Sequence, residues 1–219
     1  MISIKINKLI AKSINITTTT EPKCDALCFT AKYNQSTIQL TKVGNPEDIN
    51  LQTSFDGKSW TLYNVGDIIT VPKAGDKVYF KAKGSNRSLA KDPSNYHKFV
   101  TNSEIEASGN VNSLLEEDET VARTMSLYNH QFCYVYLFSY THLTKAPELP
   151  STELDYGCYA MMFNGCPYLT QAPALPATTL ANWCYYTMFS GCTSLTTAPE
   201  LPAYTLVDSC YAGMFAGCS

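Results

Sequence analysis

"CYYTMFSGCTSLTTAPELPAYTL", Cys184 to Leu206, sets two cysteines eight residues apart around a Met-Phe pair and follows them with two prolines. Read alone, it resembles the beginnings of a redox or metal site. Read beside its neighbours, it is one course of a repeat. "LPSTELDYGCYAMMFNGC" from Leu149, "LPATTLANWCYYTMFSGC" from Leu175 and "LPAYTLVDSCYAGMFAGC" from Leu201 align without gaps, so Met162-Phe163, Met188-Phe189 and Met214-Phe215 recur every 26 residues. A worn copy precedes them: Cys133, Tyr134, Leu137, Phe138 and "LTKAPELP", one residue shorter and without the second cysteine.

A 26-residue period falls in the range of leucine-rich repeats, whose units cannot bury an apolar side alone and must stack. Stacking puts equivalent residues about one strand spacing (~5 Å) apart. The sequence therefore predicts structural ladders of Cys158, Cys184 and Cys210, of Cys166, Cys192 and Cys218, and of Phe163, Phe189 and Phe215. The worn first copy reads as a cap. The "APxLP" prolines stiffen an extended corner, and the glycine of "FxGC" supplies a turn. A short helical turn is expected around Cys158–Phe163, with a strand near "SLTTAP". The cysteines read first as small buried core residues. A disulfide within each coil, Cys158 to Cys166 and its copies, is the second reading. Zinc is a distant third, because the spacing is C-x7-C and no histidine recurs with the period; no metal ligands are assigned.

The copies separate fixed positions from free ones. Leu, Pro, Cys, Met, Phe, Gly and the tyrosines 159, 185 and 211 are fixed. The free positions, expected to face solvent or a partner, include Tyr156, Trp183 and Tyr204. These three form the candidate ligand face, since an exposed aromatic can stack on a sugar ring. The competing reading makes them incidental surface aromatics or contacts between subunits.

Residues 24–110 read differently. "LCFTAK", "STIQLTKV", "INLQTSF", "SWTLYN", "DIITV", "KVYFKAK" and "HKFVT" are short runs rich in β-branched and aromatic residues, separated by turn signals. Asp56-Gly57 marks a hairpin. The pattern predicts a small antiparallel β-sandwich with Trp60 as a core anchor. Cys24 and Cys28, spaced C-x3-C, read as ordinary thiols. Residues 111–124 are expected to link the two parts, with Leu114 and Leu115 capping the first coil and "EEDE" a solvated loop. Residues 125–219 form the predicted solenoid, which stops in mid-repeat. The fold class is thus mainly β: an extended arm, a sandwich and a leucine-rich-repeat-like solenoid.

The arm, residues 1–23, alternates apolar residues at Ile2, Ile4 and Ile6 with Lys5 and Lys8 and ends in the tether "TTTTEP". It could lie across the sandwich or equally add to the sheet of a neighbouring protein, which makes it a candidate anchor by strand addition. It is basic, whereas residues 125–219 carry Lys145 alone against Glu148, Glu153, Asp155, Glu200 and Asp208. That half lacks the Lys/Arg stripe that nucleic acid needs. Net charge is −3 and hydrophobic residues make up 45%, so a packed core is affordable. The longest apolar run is far short of the ~20 residues that span a bilayer, and the first residues lack the continuous apolar block of a signal peptide. No phosphate loop, H-E-x-x-H, G-x-S-x-G or calcium loop occurs. His97, His130 and His142 lie in unrelated settings, and the acidic residues form no motif-placed dyad. No enzyme activity and no cofactor are expected.

The repeat, written "CYxxMFxGCxxLTxAPxLPxxTL", resembles the BspA-type leucine-rich-repeat family, in the variant of gut Bacteroides-type bacterial surface proteins and of proteins of their phages. "INLQTSFDGKSWTLYNVGDIITVPKAGDKVYFKAKG" is similar to the module that precedes such repeats. The resemblance implies an adhesive or structural surface protein without catalytic residues. Two expectations follow. One is a virion protein, a head or tail fibre or decoration protein. Its arm would dock on capsid or tail proteins, its solenoid would face a host-surface glycan or protein, and it would assemble as a dimer or trimer. The other is a bacterial cell-surface adhesin. The absence of a visible export signal, the basic arm and the ragged distal end favour the virion.

Overall fold

The computed structural model describes residues 24–219. The arm positions Ile2, Ile4, Lys5, Ile6 and Lys8 lie outside the described residues.

The protein is mainly β, with two antiparallel-rich sheets. The strands are β1 (Leu27–Ala31), β2 (Ser36–Val43), β3 (Leu51–Ser54), β4 (Thr61–Tyr63), β5 (Ile68–Val71), β6 (Lys77–Ala82), β7 (Ala90–Asp92), β8 (Asn95–Thr101), β9 (Ile105–Ser108) and β10 (Leu143–Lys145). Every run foreseen between residues 27 and 101 carries a strand; β7 and β9 were not foreseen, and β10 falls, in the worn copy alone, at the repeat position of "SLTTAP". One sheet has the order β10-β9-β1-β6-β3-β4 and the other β5-β2-β8-β7. Alternation sets their inner faces: along β2, Ile38 and Leu40 are buried between partly exposed Thr37, Gln39 and Thr41. The sheets meet through rings, with Phe29 and Phe80 of the first 4.9 and 5.3 Å from Phe99 of the second.

The Asp56-Gly57 signal makes the β3–β4 hairpin, in which Leu51 faces Tyr63 and Thr53 faces Thr61. Gly57 takes φ +71°, and the Asp56 carboxylate accepts from the amides of Lys58 and Ser59 (2.8 and 2.7 Å). Those amides hold its pKa well below the usual carboxylate range. Trp60 is not a core anchor. It sits half-exposed after the turn, with the Lys81 ammonium 4.5 Å from its ring centre.

Val111–Leu114 form a 3-10 turn and Glu119–Thr124 a short helix, α1. Leu114 and Leu115 are buried, as a cap requires. The "EEDE" cluster is not a solvated loop. Glu117 accepts from Gly84 N and Gln52 Nε2 (2.7 and 2.8 Å), Glu119 from Asp25 N (2.7 Å), and Asp118 caps α1. Glu117 and Glu119 thereby tie segments of the sheet domain to the segment leading into the repeat. Arg123, on α1, pairs with both Asp25 and Glu148.

In the repeat region, residues one period apart stack. Amides of Gly157, Tyr159, Met161, Phe163 and Gly165 donate to carbonyls of Asn182, Cys184, Tyr186, Met188 and Ser190 at 2.8–3.0 Å. Amides of Trp183, Tyr185, Thr187, Phe189 and Gly191 reach the next coil in the same way at 2.8–3.1 Å, and those of the worn copy reach the first full one at 2.9–3.2 Å. The intervening amides turn back within their own coil, as Ala160 N does to Gly157 O at 3.0 Å. This alternation replaces the expected helical turn around Cys158–Phe163. A helix would spend every amide internally; here half of them join neighbouring coils. The backbone accommodates it by entering the left-handed region at every fourth residue, at Gly157, Met161 and Gly165 and at Trp183, Thr187 and Gly191. No strand forms near "SLTTAP", where prolines remove amides from the extended corner. The lone strand of this region, β10, exists because β9 offers it a parallel partner.

A single hydrophobic cluster runs from the sheets through the coils. Phe138, Phe163, Phe189 and Phe215 stack with centroids 5.4–5.6 Å apart and planes within 8°. Tyr134, Tyr159, Tyr185 and Tyr211 form a second column at 5.6–5.8 Å.

Candidate ligand-facing surface

The two cysteine sets lie inside the coils. Cys158, Cys184 and Cys210 are buried, as are Cys166 and Cys192, while Cys218 is half-buried in the last coil. All are unbonded thiols, so the within-coil disulfide does not form. The second set donates to the preceding coil: Cys166 Sγ to Phe138 O, Cys192 Sγ to Phe163 O and Cys218 Sγ to Phe189 O, at 3.0–3.2 Å. In the worn coil Thr141 stands where that cysteine would be, and its hydroxyl donates to Phe138 O at 2.7 Å. Burial pushes the Cys184 and Cys192 thiols up to about 12. A thiol held protonated is neither nucleophile nor metal ligand at neutral pH. Among the described residues no group of three or more His, Cys, Asp and Glu side chains could hold a metal ion. Cys24 donates weakly to Glu119 (3.5 Å) and Cys28 is buried on β1.

The histidines are each held by structure. His97 is buried with Nδ1 2.8 Å from Leu89 O, and burial lowers its pKa. His130 Nδ1 lies 2.7 Å from Arg87 O, and His142 Nδ1 lies 3.2 Å from the Thr101 hydroxyl.

Two of the three aromatics of the candidate ligand face come together. The Tyr156 and Trp183 rings stack at 6.5 Å with planes 20° apart. Trp183 is 37% exposed and is further flanked by Tyr186 at 4.6 Å. It is a member of an aromatic row, not an open platform. Phe132 of the worn coil extends that row, 5.1 Å from Tyr156 and edge-on to it. Tyr204 stands apart, fully exposed in the extended corner at the repeat position of Thr152 and Thr178, with no ring partner among the described residues.

Phe132 and Tyr186 were missed by the sequence reading. Tyr186 occupies the position of Ala160 and Ala212, so the comparison of copies already held that signal. Phe132 belongs to the worn coil, where alignment is weakest. Next to Phe132 in the chain, Gln131 lines a polar cleft of about 430 Å³ that draws on three separate segments, with Glu47, Arg87, Lys91 of β7 and Asn129 also in its wall. No periodicity could have brought those segments together.

Among the described residues no helix is long and apolar enough to cross a membrane. No family model, curated protein or solved structure matches this chain.

Proposed function

We propose that this chain is a non-enzymatic structural and attachment protein of a bacteriophage virion, a head or tail fibre or decoration protein. Its repeat would be a leucine-rich-repeat-like solenoid that projects from the particle. The supporting observation is the unbroken phenylalanine column from the sheets into the last coil. A column without a hinge makes a stiff spacer, which is what a projecting element needs. The solenoid would present one aromatic-bearing face to a host-surface glycan or protein, and copies on one particle would raise avidity. The arm, residues 1–23, would dock on capsid or tail proteins, and the assembly would be a dimer or trimer.

The virion reading leans on the resemblance of the repeat and on the basic sequence of residues 1–23. The same features suit a bacterial cell-surface adhesin. Purified virions of the source, probed for this chain before and after deletion of residues 1–20, decide between them. Co-sedimentation that is lost on deletion supports the virion protein. Recovery on cell envelopes and never on particles overturns it in favour of the adhesin.

A further inference from the structure

The polar cleft beside Phe132 has firm walls. His130 Nδ1 bonds Arg87 O at 2.7 Å, and Leu89 N donates to Cys133 O at 3.1 Å, so the stretch that carries Arg87 and continues into Lys91 of β7 is stitched to the turn carrying Asn129 and Gln131. Ala90 is buried against Val135 and Ala160, and Tyr96 stacks on Tyr136 at 4.8 Å close behind. The cleft is therefore preformed, the usual condition of a small-molecule site, and of ordinary size for one. Arg87 and Lys91 are exposed and form no ion pair among the described residues. Glu47 is the single carboxylate of the lining.

Charge here is local. From Met125 to Ser219 Lys145 is the one Lys or Arg, so the coils contribute little positive charge of their own. Two cations with no ion pair among the described residues, two primary amides and a carboxylate, one residue from a row of partly exposed rings, make a definite chemical set. Guanidinium and ammonium groups bind carboxylate or sulfate. Amides and a carboxylate bond hydroxyls in either direction. The row Phe132, Tyr156 and Trp183, which begins one residue after the lining residue Gln131 and runs along the stack of coils, offers apolar ring surface with a polar edge.

We propose that this cleft binds an acidic saccharide, with its carboxylate or sulfate on Arg87 and Lys91, its hydroxyls on Asn129, Gln131 and Glu47, and the following sugar along the aromatic row. This inference rests on the attachment reading and names its ligand class.

The test uses the full chain on columns of hyaluronan, a carboxylated polymer, of dextran sulfate, and of neutral dextran. Retention on at least one acidic polymer and none on dextran is expected, weakening as salt rises. Arg87→Ala with Lys91→Ala should lower affinity by about tenfold per cation removed. Trp183→Phe, which keeps a ring on the coil, should weaken it less. Which acidic column retains the chain separates a carboxylate ligand from a sulfate. Equal retention on all three columns, no retention on any, or retention unchanged in the double variant overturns the proposal. Host-cell adsorption separates this failure from failure of the attachment reading: adsorption that persists in the double variant sinks the cleft alone. A chain never found on particles sinks the virion reading and leaves the column result standing.

Discussion

Phe99 of β8 and Phe138 of the worn coil stack with centroids 5.5 Å apart and planes 10° apart, and Phe99 N donates to Leu137 O at 2.7 Å. A sheet residue thus begins the column that the repeat continues, and the worn coil differs from the others in facing a sheet on one side and a coil on the other. Phe138→Ala removes a ring buried between Phe99 and Phe163 and should cost about 3–5 kcal/mol. Phe215→Ala, at the half-buried end of the same column, should cost a small fraction of that. Urea unfolding followed by fluorescence checks both. Because Phe138 joins the two regions, its removal should also split one cooperative transition into two. Equal losses at the two sites would contradict a column anchored at the sheets.

Gly165 takes φ +69°, and a Cβ there would stand 2.5 Å from Cδ1 of Tyr140. Gly217, two periods further, has φ +74° but an open site, with its nearest neighbour 3.7 Å away. Gly217→Ala should therefore show only the left-handed backbone cost, about 1–2 kcal/mol, while Gly165→Ala should lose clearly more. Tyr140→Ala in the Gly165→Ala background should recover the excess and leave the backbone cost. A double-mutant cycle by chemical denaturation measures the coupling. Additive effects would mean that the ring moves aside freely.

The buried thiols make stability sensitive to alkali. Cys184 and Cys192 are pushed up to about 12 by burial, against about 8.5 in an unfolded chain. A folded value above the unfolded one gives stability that is complete below about pH 8.5 and is lost as pH rises toward the folded value. Each thiol should contribute a slope of about 1.4 kcal/mol per pH unit in that window. Urea midpoints under reducing conditions at about pH 7, 9 and 10 check this. Cys184→Ala with Cys192→Ser should flatten the decline, the serine keeping a donor toward Phe163 O. An unchanged slope would place the titration elsewhere.

Much of this was legible because repetition reports burial without an alignment. Leu, Met, Phe, Cys and Tyr recur, and the structure buries them where neighbouring coils cover them. Alternation and turn chemistry located the strands from β1 to β6 and β8. What failed depended on partners distant in sequence. Trp60 has the composition of an anchor but lies beyond the last β3–β4 pair, where Lys81 covers it. The "EEDE" cluster looked solvated because its acceptors serve Gly84, Gln52 and Asp25, 33 to 94 residues away. The cleft by Phe132 draws on three segments that no motif connects. The backbone of Cys158–Phe163 misled for another reason. Its side-chain spacing fits a helical turn, yet its amides are shared between coils, a choice that only stacking makes possible.

The last described coil leaves its outer edge unpaired. Amides of Ser209, Tyr211, Gly213, Phe215 and Gly217 stand where each earlier coil donates to its successor, and none finds a partner among the described residues. Ladder residues there emerge as well: Leu206 is 65% exposed, whereas its counterpart Leu154 is 3% exposed. A further consensus coil placed after Ser219 presents carbonyls in the right register and covers Leu206 and Phe215. In stacked repeats each added interface contributes its own favourable free energy. The extended chain should melt higher, by about 2–4 °C for each kcal/mol gained. A control coil with serine at its Leu, Met and Phe positions keeps the carbonyls but lacks the apolar cover, and should give little. Scanning calorimetry of the three chains compares them. A gain from the control equal to that from the consensus coil would assign the effect to hydrogen bonding at the edge; no gain from either would mean that the last coil does not hold the geometry of those before it.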